Sequence, residues 1–312
     1  MPYYESPVDS TRLHYVDHGP ASGTVAVFVA SAYPGHEMWE HQMLPLAEAG
    51  YRCVGLDRRG HGRSDDVWSG YDLDTLADDL QGLLDHLDLR EVTLIGYSVG
   101  TAEVVRCLTR HGSDRVARVA LVCGVSPGII RSEHLPDGVD PLVARADEEF
   151  FRRDRPAWFT RSADAFFAVS SAGNEVSDAY VRHLVDRCLA ATPRASTGVR
   201  SVVTGLDLTG ELPAVDVPVL VVHGTHDTSA PLAHTGERVA RLVPGAVLKV
   251  YENGGHGLFL THAERLAEDL REFLGADGAT AATTTGTGRV PAVAGIARAG
   301  VPEAGGHGKP RP

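Results

Sequence analysis

The segment Gly96-Tyr97-Ser98-Val99-Gly100 constrains this chain more than any other. The apolar run Glu91-Val92-Thr93-Leu94-Ile95 before it has the composition of a buried strand, and Thr101 to Arg110 after it has that of a helix. Gly-x-Ser-x-Gly between a strand and a helix forces a sharp turn. Its glycines let neighbouring backbone pass close, and its serine Oγ stands above the end of the sheet. A serine held there can attack an acyl carbon.

Glycine and serine are common, so the pentapeptide gains meaning only from its partners. A serine hydroxyl is nearly inert at neutral pH. It needs a histidine base, itself oriented by a carboxylate. The run Val217-Pro218-Val219-Leu220-Val221-Val222 suits a strand buried on both faces and opens into His223-Gly224-Thr225-His226-Asp227, which makes Asp227 the candidate acid. A further strand-like segment, Val247 to Tyr251, leads into Glu252-Asn253-Gly254-Gly255-His256-Gly257, where flanking glycines leave the His256 imidazole free to reach across the sheet edge. The loop after the strand Val116 to Cys123 holds Gly124-Val125-Ser126-Pro127 and no carboxylate, which leaves Asp227 by elimination. The order Ser98, Asp227, His256 is that of the α/β-hydrolase fold, and neither the chymotrypsin nor the subtilisin order.

Taken singly, each residue has a plainer reading, since a loop aspartate usually forms a turn and a lone histidine usually does no chemistry. Three of them in this order, at three predicted strand ends, outweigh that reading. The other histidines are read as structural. His262 lies in Thr261-His262-Ala263-Glu264, whose capping-box pattern predicts the start of a helix with His262 on its first turn. His61 belongs to the glycine-rich turn Asp57-Arg58-Arg59-Gly60-His61-Gly62-Arg63-Ser64, read as scaffold. His223 and His226 invite a metal reading with Asp227, but no second ligand cluster accompanies them, and neither metal nor cofactor is expected.

Along the chain, strand-like runs at Arg12 to Val16, Val25 to Ala30, Tyr51 to Leu56, Glu91 to Ile95 and Val116 to Cys123 alternate with helical patterns, which predicts an α/β fold with a mostly parallel central sheet flanked by helices. The helix from Asp72 to Leu87 carries an apolar stripe at Leu73, Leu76, Leu80, Leu83, Leu84 and Leu87, and Glu264 to Leu274 repeats the device before Gly275. Between Ser126 and Leu212 the alternation lapses into helical stretches that carry Trp158, Phe159, Phe166 and Phe167 and the amphipathic run Ala179 to Ala190. The expected organisation is a core of residues 1–125 and 213–275, a helical cap or lid of residues 126–212, and a tail of residues 276–312. The tail's Ala, Gly, Thr and Pro composition offers no periodic apolar face and predicts disorder. The aromatics of the insertion could line a substrate pocket or simply pack the lid onto the core.

A net charge of -12 and only two lysines, Lys249 and Lys309, argue against nucleic acid or an anionic membrane surface as a partner. Cys53, Cys107, Cys123 and Cys188 occur singly, three of them inside strand-like or helical segments where cysteine acts as a small buried apolar residue, and free thiols in a reducing cytoplasm are expected. The start Met1-Pro2-Tyr3-Tyr4-Glu5-Ser6 lacks a basic then apolar region, and no apolar run approaches a membrane span, so a soluble cytoplasmic protein is expected. Homo-oligomerisation is left open.

The chain also resembles the cofactor-free bacterial haloperoxidases or perhydrolases of the α/β-hydrolase superfamily, from about Leu13 to Leu274. Besides the segments already given, the resemblance rests on Met38-Trp39-Glu40, the Asp57 to Ser64 turn, Arg110-His111-Gly112, Arg115-Val116-Ala117-Arg118, His256-Gly257-Leu258 and Thr261-His262-Ala263-Glu264-Arg265-Leu266. It implies hydrolysis of a small-molecule ester or lactone through an acyl-serine, without metal or organic cofactor. It also implies a perhydrolase side activity in which hydrogen peroxide replaces water. By family position, the backbone N–H groups of Tyr33 and Val99 form the oxyanion hole. The chain departs from the pattern at Ser31-Ala32, where the family usually has His-Gly before the oxyanion residue. Alanine resists backbone angles that glycine adopts, so a differently shaped loop is expected there. Acyl transfer or thioester cleavage with the same three residues, a specialised non-hydrolytic reaction, and a non-enzymatic ligand-binding role on the same scaffold are the competing expectations. Ser98 argues against epoxide hydrolase and haloalkane dehalogenase chemistry, which on this fold uses an aspartate at the turn.

Overall fold

Valine, isoleucine and leucine runs with polar residues only at their ends belong inside a sheet, and among the described residues they form the middle of one with eight strands. The computed structural model describes residues 2–171 and 173–275, and the expected tail lies outside the described residues. The strands are β1 (Tyr3–Glu5), β2 (Arg12–His18), β3 (Val25–Val29), β4 (Arg52–Leu56), β5 (Val92–Tyr97), β6 (Val116–Val122), β7 (Val219–Gly224) and β8 (Val247–Tyr251). They are ordered β1-β2-β4-β3-β5-β6-β7-β8. β1 and β2 pair antiparallel, and so do β2 and β4, while every pair from β4-β3 to β7-β8 is parallel. This is the mostly parallel α/β sheet that the alternation predicts.

The strand periodicity of two divides the core into two layers. Val27, Val29, Leu94, Val119, Leu121, Val219 and Val221 face one layer, and Ala26, Phe28, Ile95, Ala120, Val122, Leu220 and Val222 face the other. Helices α2 (Leu73–His86) and α3 (Val99–His111) cover the first face, and α1 (Glu40–Glu48) and α10 (Ala263–Leu274) the second. In α2 the expected stripe is the packed face, with Leu76, Leu80, Leu83 and Leu84 buried, and the Asp72 side chain caps its start by accepting from the Thr75 N–H. Between β6 and β7 the chain forms α4 (Pro141–Arg153), α5 (Arg155–Phe167), α6 (Asp178–Ala190) and α7 (Pro193–Gly205), where the sequence shows its aromatic helical stretches. Helix α8 (Gly236–Leu242) lies between β7 and β8.

One local expectation needs correction. Thr261 does not cap the last helix. It closes the single turn α9 (Leu258–Thr261), which buries Leu258 and Phe259, and His262 rather than Thr261 then precedes α10 with no side-chain cap. A capping threonine needs extended backbone, and the turn that packs Phe259 denies it that geometry. Strand β1 has no signal in the sequence, because its three residues gain order from distant partners, among them β2 and the Asp79 carbonyl, to which the Tyr4 hydroxyl donates at 2.7 Å.

The N-terminal segment is fastened by charge. Arg59 is fully buried, donates through Nε and Nη2 to the Asp79 carboxylate at 2.7 and 2.9 Å, and reaches Asp9 and Ser6 on the other side. Removing one partner of such a pair leaves the other charge buried and uncompensated. We therefore expect Arg59→Met to lower the unfolding free energy by about 3–5 kcal/mol, and Arg59→Met/Asp79→Leu to recover most of the loss, both measured by urea denaturation.

Candidate active site

The site stands at the ends of β5 and β7 and in the loop after β8. Ser98 occupies the turn between β5 and α3 with φ 54° and ψ −118°, an uncommon conformation for a residue with a side chain. Backbone contact makes the flanking glycines necessary. A Cβ on Gly96 would lie 2.6 Å from the Gly100 carbonyl oxygen, and one on Gly100 would lie 2.7 Å from that of Val29. The strained residue is held by a bond from its own N–H to the Val122 carbonyl at 3.0 Å and by the Thr101 hydroxyl, which donates to its carbonyl at 2.6 Å.

Ser98, His256 and Asp227 come together and are all buried. His256 Nδ1 lies 2.7 Å from Asp227 Oδ2, and His256 Nε2 lies 2.9 Å from Ser98 Oγ. A carboxylate can only accept, so Nδ1 carries the proton shared with Asp227, and Nε2 is the ring atom that faces the serine hydroxyl. The other Asp227 oxygen accepts from the Ser229 and Ala230 N–H groups at 2.9 and 2.8 Å. Burial opposes ionisation of this carboxyl, but His256, His223 and their hydrogen bonds hold it well below the usual carboxylate range.

The acid and histidine loops are zipped together. The His226 N–H donates to the Gly254 carbonyl at 2.8 Å, the Thr225 N–H to that of Tyr251 at 3.0 Å, and a Cβ on Gly224 would strike Gly254 O at 2.1 Å. The Tyr97 hydroxyl donates to the His256 carbonyl at 2.6 Å from below. From above, the Phe166 ring of α5 packs edge-on against the imidazole at 5.4 Å, and its carbonyl accepts from the Gly257 N–H at 2.7 Å. His256 is thus fixed by the sheet on one side and by α5 on the other.

Beneath the loop that follows β3 lies a buried pair that sequence reading missed. Arg58 donates to Glu103 of α3 at 2.8 Å through Nε, and to the carbonyls of Ser31 and Ala30 at 2.9 Å through its terminal nitrogens. It thereby aims the Ser31-Ala32-Tyr33 backbone from within the glycine-rich turn. Val99, the other predicted oxyanion donor, opens α3 directly after Ser98. The neighbouring His61 is buried, and burial pulls its pKa down to about 3, so it stays neutral. Nothing in the spacing of Arg58 and Glu103 announces the pair, although a glutamate in a wholly buried helix segment would need such a cation.

Two other polar clusters hold the loops around the site. Asp57 accepts from the His14 and His36 Nδ1 atoms, both at 2.8 Å, and from the His36 and Arg63 N–H groups, which engages all its acceptor directions and makes it a loop anchor. His223 is buried behind the acid, its Nε2 2.7 Å from the Ala230 carbonyl and 3.3 Å from Asp227 Oδ2. His226 is exposed and meets the Thr225 hydroxyl. All four cysteines are free and buried, Cys123 beside Asp227 and His256.

A family model described as the alpha/beta hydrolase fold matches residues 25–263. The chain belongs to the α/β-hydrolase family. Within that family its likeness is to haloperoxidase-type enzymes. It is 36% identical to a non-heme chloroperoxidase of Kitasatospora aureofaciens, over 85% of this chain and 97% of that protein. It is 30% identical to a bifunctional esterase/perhydrolase of Acinetobacter calcoaceticus, over 87% and 99%. A crystal structure of a bromoperoxidase from Bacillus anthracis superposes with a TM-score of 0.82 at 30% identity, covering 88% of this chain and 99% of the other. This α/β hydrolase is therefore an enzyme by family, and no helix among its described residues is long and apolar enough to cross a membrane.

The depressed Asp227 carboxyl carries a sign that can be checked. A group whose pKa is lower folded than unfolded contributes stability that is complete above about pH 5 and is lost as pH falls below about 4. In urea unfolding followed by tryptophan fluorescence, the stability difference between wild type and Asp227→Asn should be constant at neutral pH and shrink in that acid range. A difference unchanged down to pH 3 would contradict it.

Proposed function

We propose that this α/β hydrolase cleaves a small or medium ester or lactone through an acyl-serine intermediate. The observation that carries the reading is the pair of hydrogen bonds at 2.7 and 2.9 Å that joins Asp227, His256 and Ser98 in one line. In this reading His256 Nε2 takes the Ser98 proton as Oγ attacks the acyl carbon. Asp227 holds the imidazole in the required tautomer and stabilises the imidazolium. The tetrahedral oxyanion accepts from the Tyr33 and Val99 N–H groups. His256 then gives its proton to the leaving alkoxide, which departs as alcohol. In the second half, His256 deprotonates water, the hydroxide attacks the acyl carbon, and Ser98 leaves with its proton restored and the carboxylic acid free.

The names of the relatives favour the same chemistry with a second acceptor. If hydrogen peroxide takes the place of water, the same step yields a peracid without any change at the three residues. The pairing of esterase and perhydrolase in the Acinetobacter relative supports that extension. The arrangement also favours residues 126–212 as a cap over a core of residues 1–125 and 213–275, because Phe166 of α5 meets His256 directly and shields it from one side.

Residues that act as a unit do not contribute additively. With p-nitrophenyl acetate, Ser98→Ala and His256→Ala should each lower kcat by roughly a thousandfold or more, and the double substitution should lower it no further. Full turnover by Ser98→Ala would refute the reading.

A further inference from the structure

Tyr33, the predicted oxyanion donor, has a side chain wholly engaged by the helices between β6 and β7. Its ring stacks on Phe151 of α4 at 5.5 Å and 27°, and meets Phe159 and Trp158 of α5 edge-on at 4.9 and 6.0 Å. Its hydroxyl accepts from Arg200 Nη1 of α7 at 2.9 Å. Arg200 is itself aimed from several sides. Its guanidinium lies over the rings of Phe151 at 4.5 Å and Trp158 at 4.9 Å, while Nε and Nη2 donate to Glu148 at 2.6 Å and Asp147 at 2.5 Å. Asp147 is in turn fixed by the Trp158 indole N–H at 2.8 Å. The polar head and the aromatic body of Tyr33 therefore have one orientation available.

The Tyr33 side chain and its amide share one Cα, so fixing the ring restricts the amide. Here the loop lacks the His-Gly of the resembled family and carries Ser31-Ala32 instead. Arg58 grips the carbonyls of Ala30 and Ser31 from below. Arg200 grips the end of Tyr33 from above, across 167 residues of chain. The geometry points to Arg200 as a positioning residue that, through the Tyr33 hydroxyl, holds the Tyr33 N–H at the oxyanion and so couples the seating of the cap to catalytic power. This inference rests on the serine-hydrolase reading above.

An interaction realised mainly in the transition state changes kcat, whereas a merely structural ion pair changes melting temperature. The test compares wild type, Tyr33→Phe, Arg200→Gln, the double variant, Arg200→Lys and Ser98→Ala, with p-nitrophenyl butyrate turnover and thermal melting read together. Tyr33→Phe keeps the ring and Arg200→Lys keeps the charge, so folding is preserved in at least these two. Tyr33→Phe and Arg200→Gln should each lower kcat about tenfold, less than the loss of a whole oxyanion donor, with KM changed less than twofold. The double variant should be no slower than the slower single one, and Arg200→Lys should recover part of the rate. Unchanged kcat with a lowered melting temperature, or multiplicative losses in the double variant, would overturn the tether while an inactive Ser98→Ala left the parent reading standing. Full activity in Ser98→Ala would overturn the parent reading, and the tether with it.

Discussion

The crossing of backbone on backbone beneath Ser98 is the constraint on which the rest of the site depends. Gly96 lies against Gly100, and Gly100 lies against the Val29 carbonyl at the end of β3, with no room for a Cβ at either glycine. That closeness puts the start of α3 directly beside the loop that leaves β3. The strain at Ser98 is sustained by the parallel strand β6, whose Val122 carbonyl accepts from its N–H, and by the layers packed on both faces of β5.

Much of this was legible in the sequence because it is local. The turn, the apolar runs of β3 to β7 and the leucine stripe of α2 each announce themselves within about fifteen residues, through a period of two, a period of 3.6 or a glycine pattern. Asp227 and His256 were legible for a related reason, since each follows a strand-like run and sits among glycines. What escaped was set by distance along the chain. Arg58 meets Glu103 across 45 residues, Arg200 meets Tyr33 across 167, and no periodicity records either encounter. The short strand β1 and the antiparallel sense of β1 and β2 escaped likewise, as did the turn α9 that displaced the expected threonine cap.

Helix α5 gives the region between β6 and β7 a physical role that composition could not assign. Trp158 and Phe159 near its start touch Tyr33, and Phe166 near its end touches His256. Phe151 and Phe167 are fully buried and pack helices together, while the contact of Phe166 with the imidazole belongs to the site itself. A single helix thus touches both Tyr33 and His256.

The account stands on an activated Ser98, and the most direct measurement of that is intact mass after exposure to a fluorophosphonate, for wild type and Ser98→Ala. Capture needs a serine whose proton has somewhere to go and an oxyanion site that accepts the phosphoryl oxygen. The account predicts one adduct per wild-type chain and none on Ser98→Ala. A folded wild-type protein that takes no adduct, or a variant that takes the same one, would contradict it.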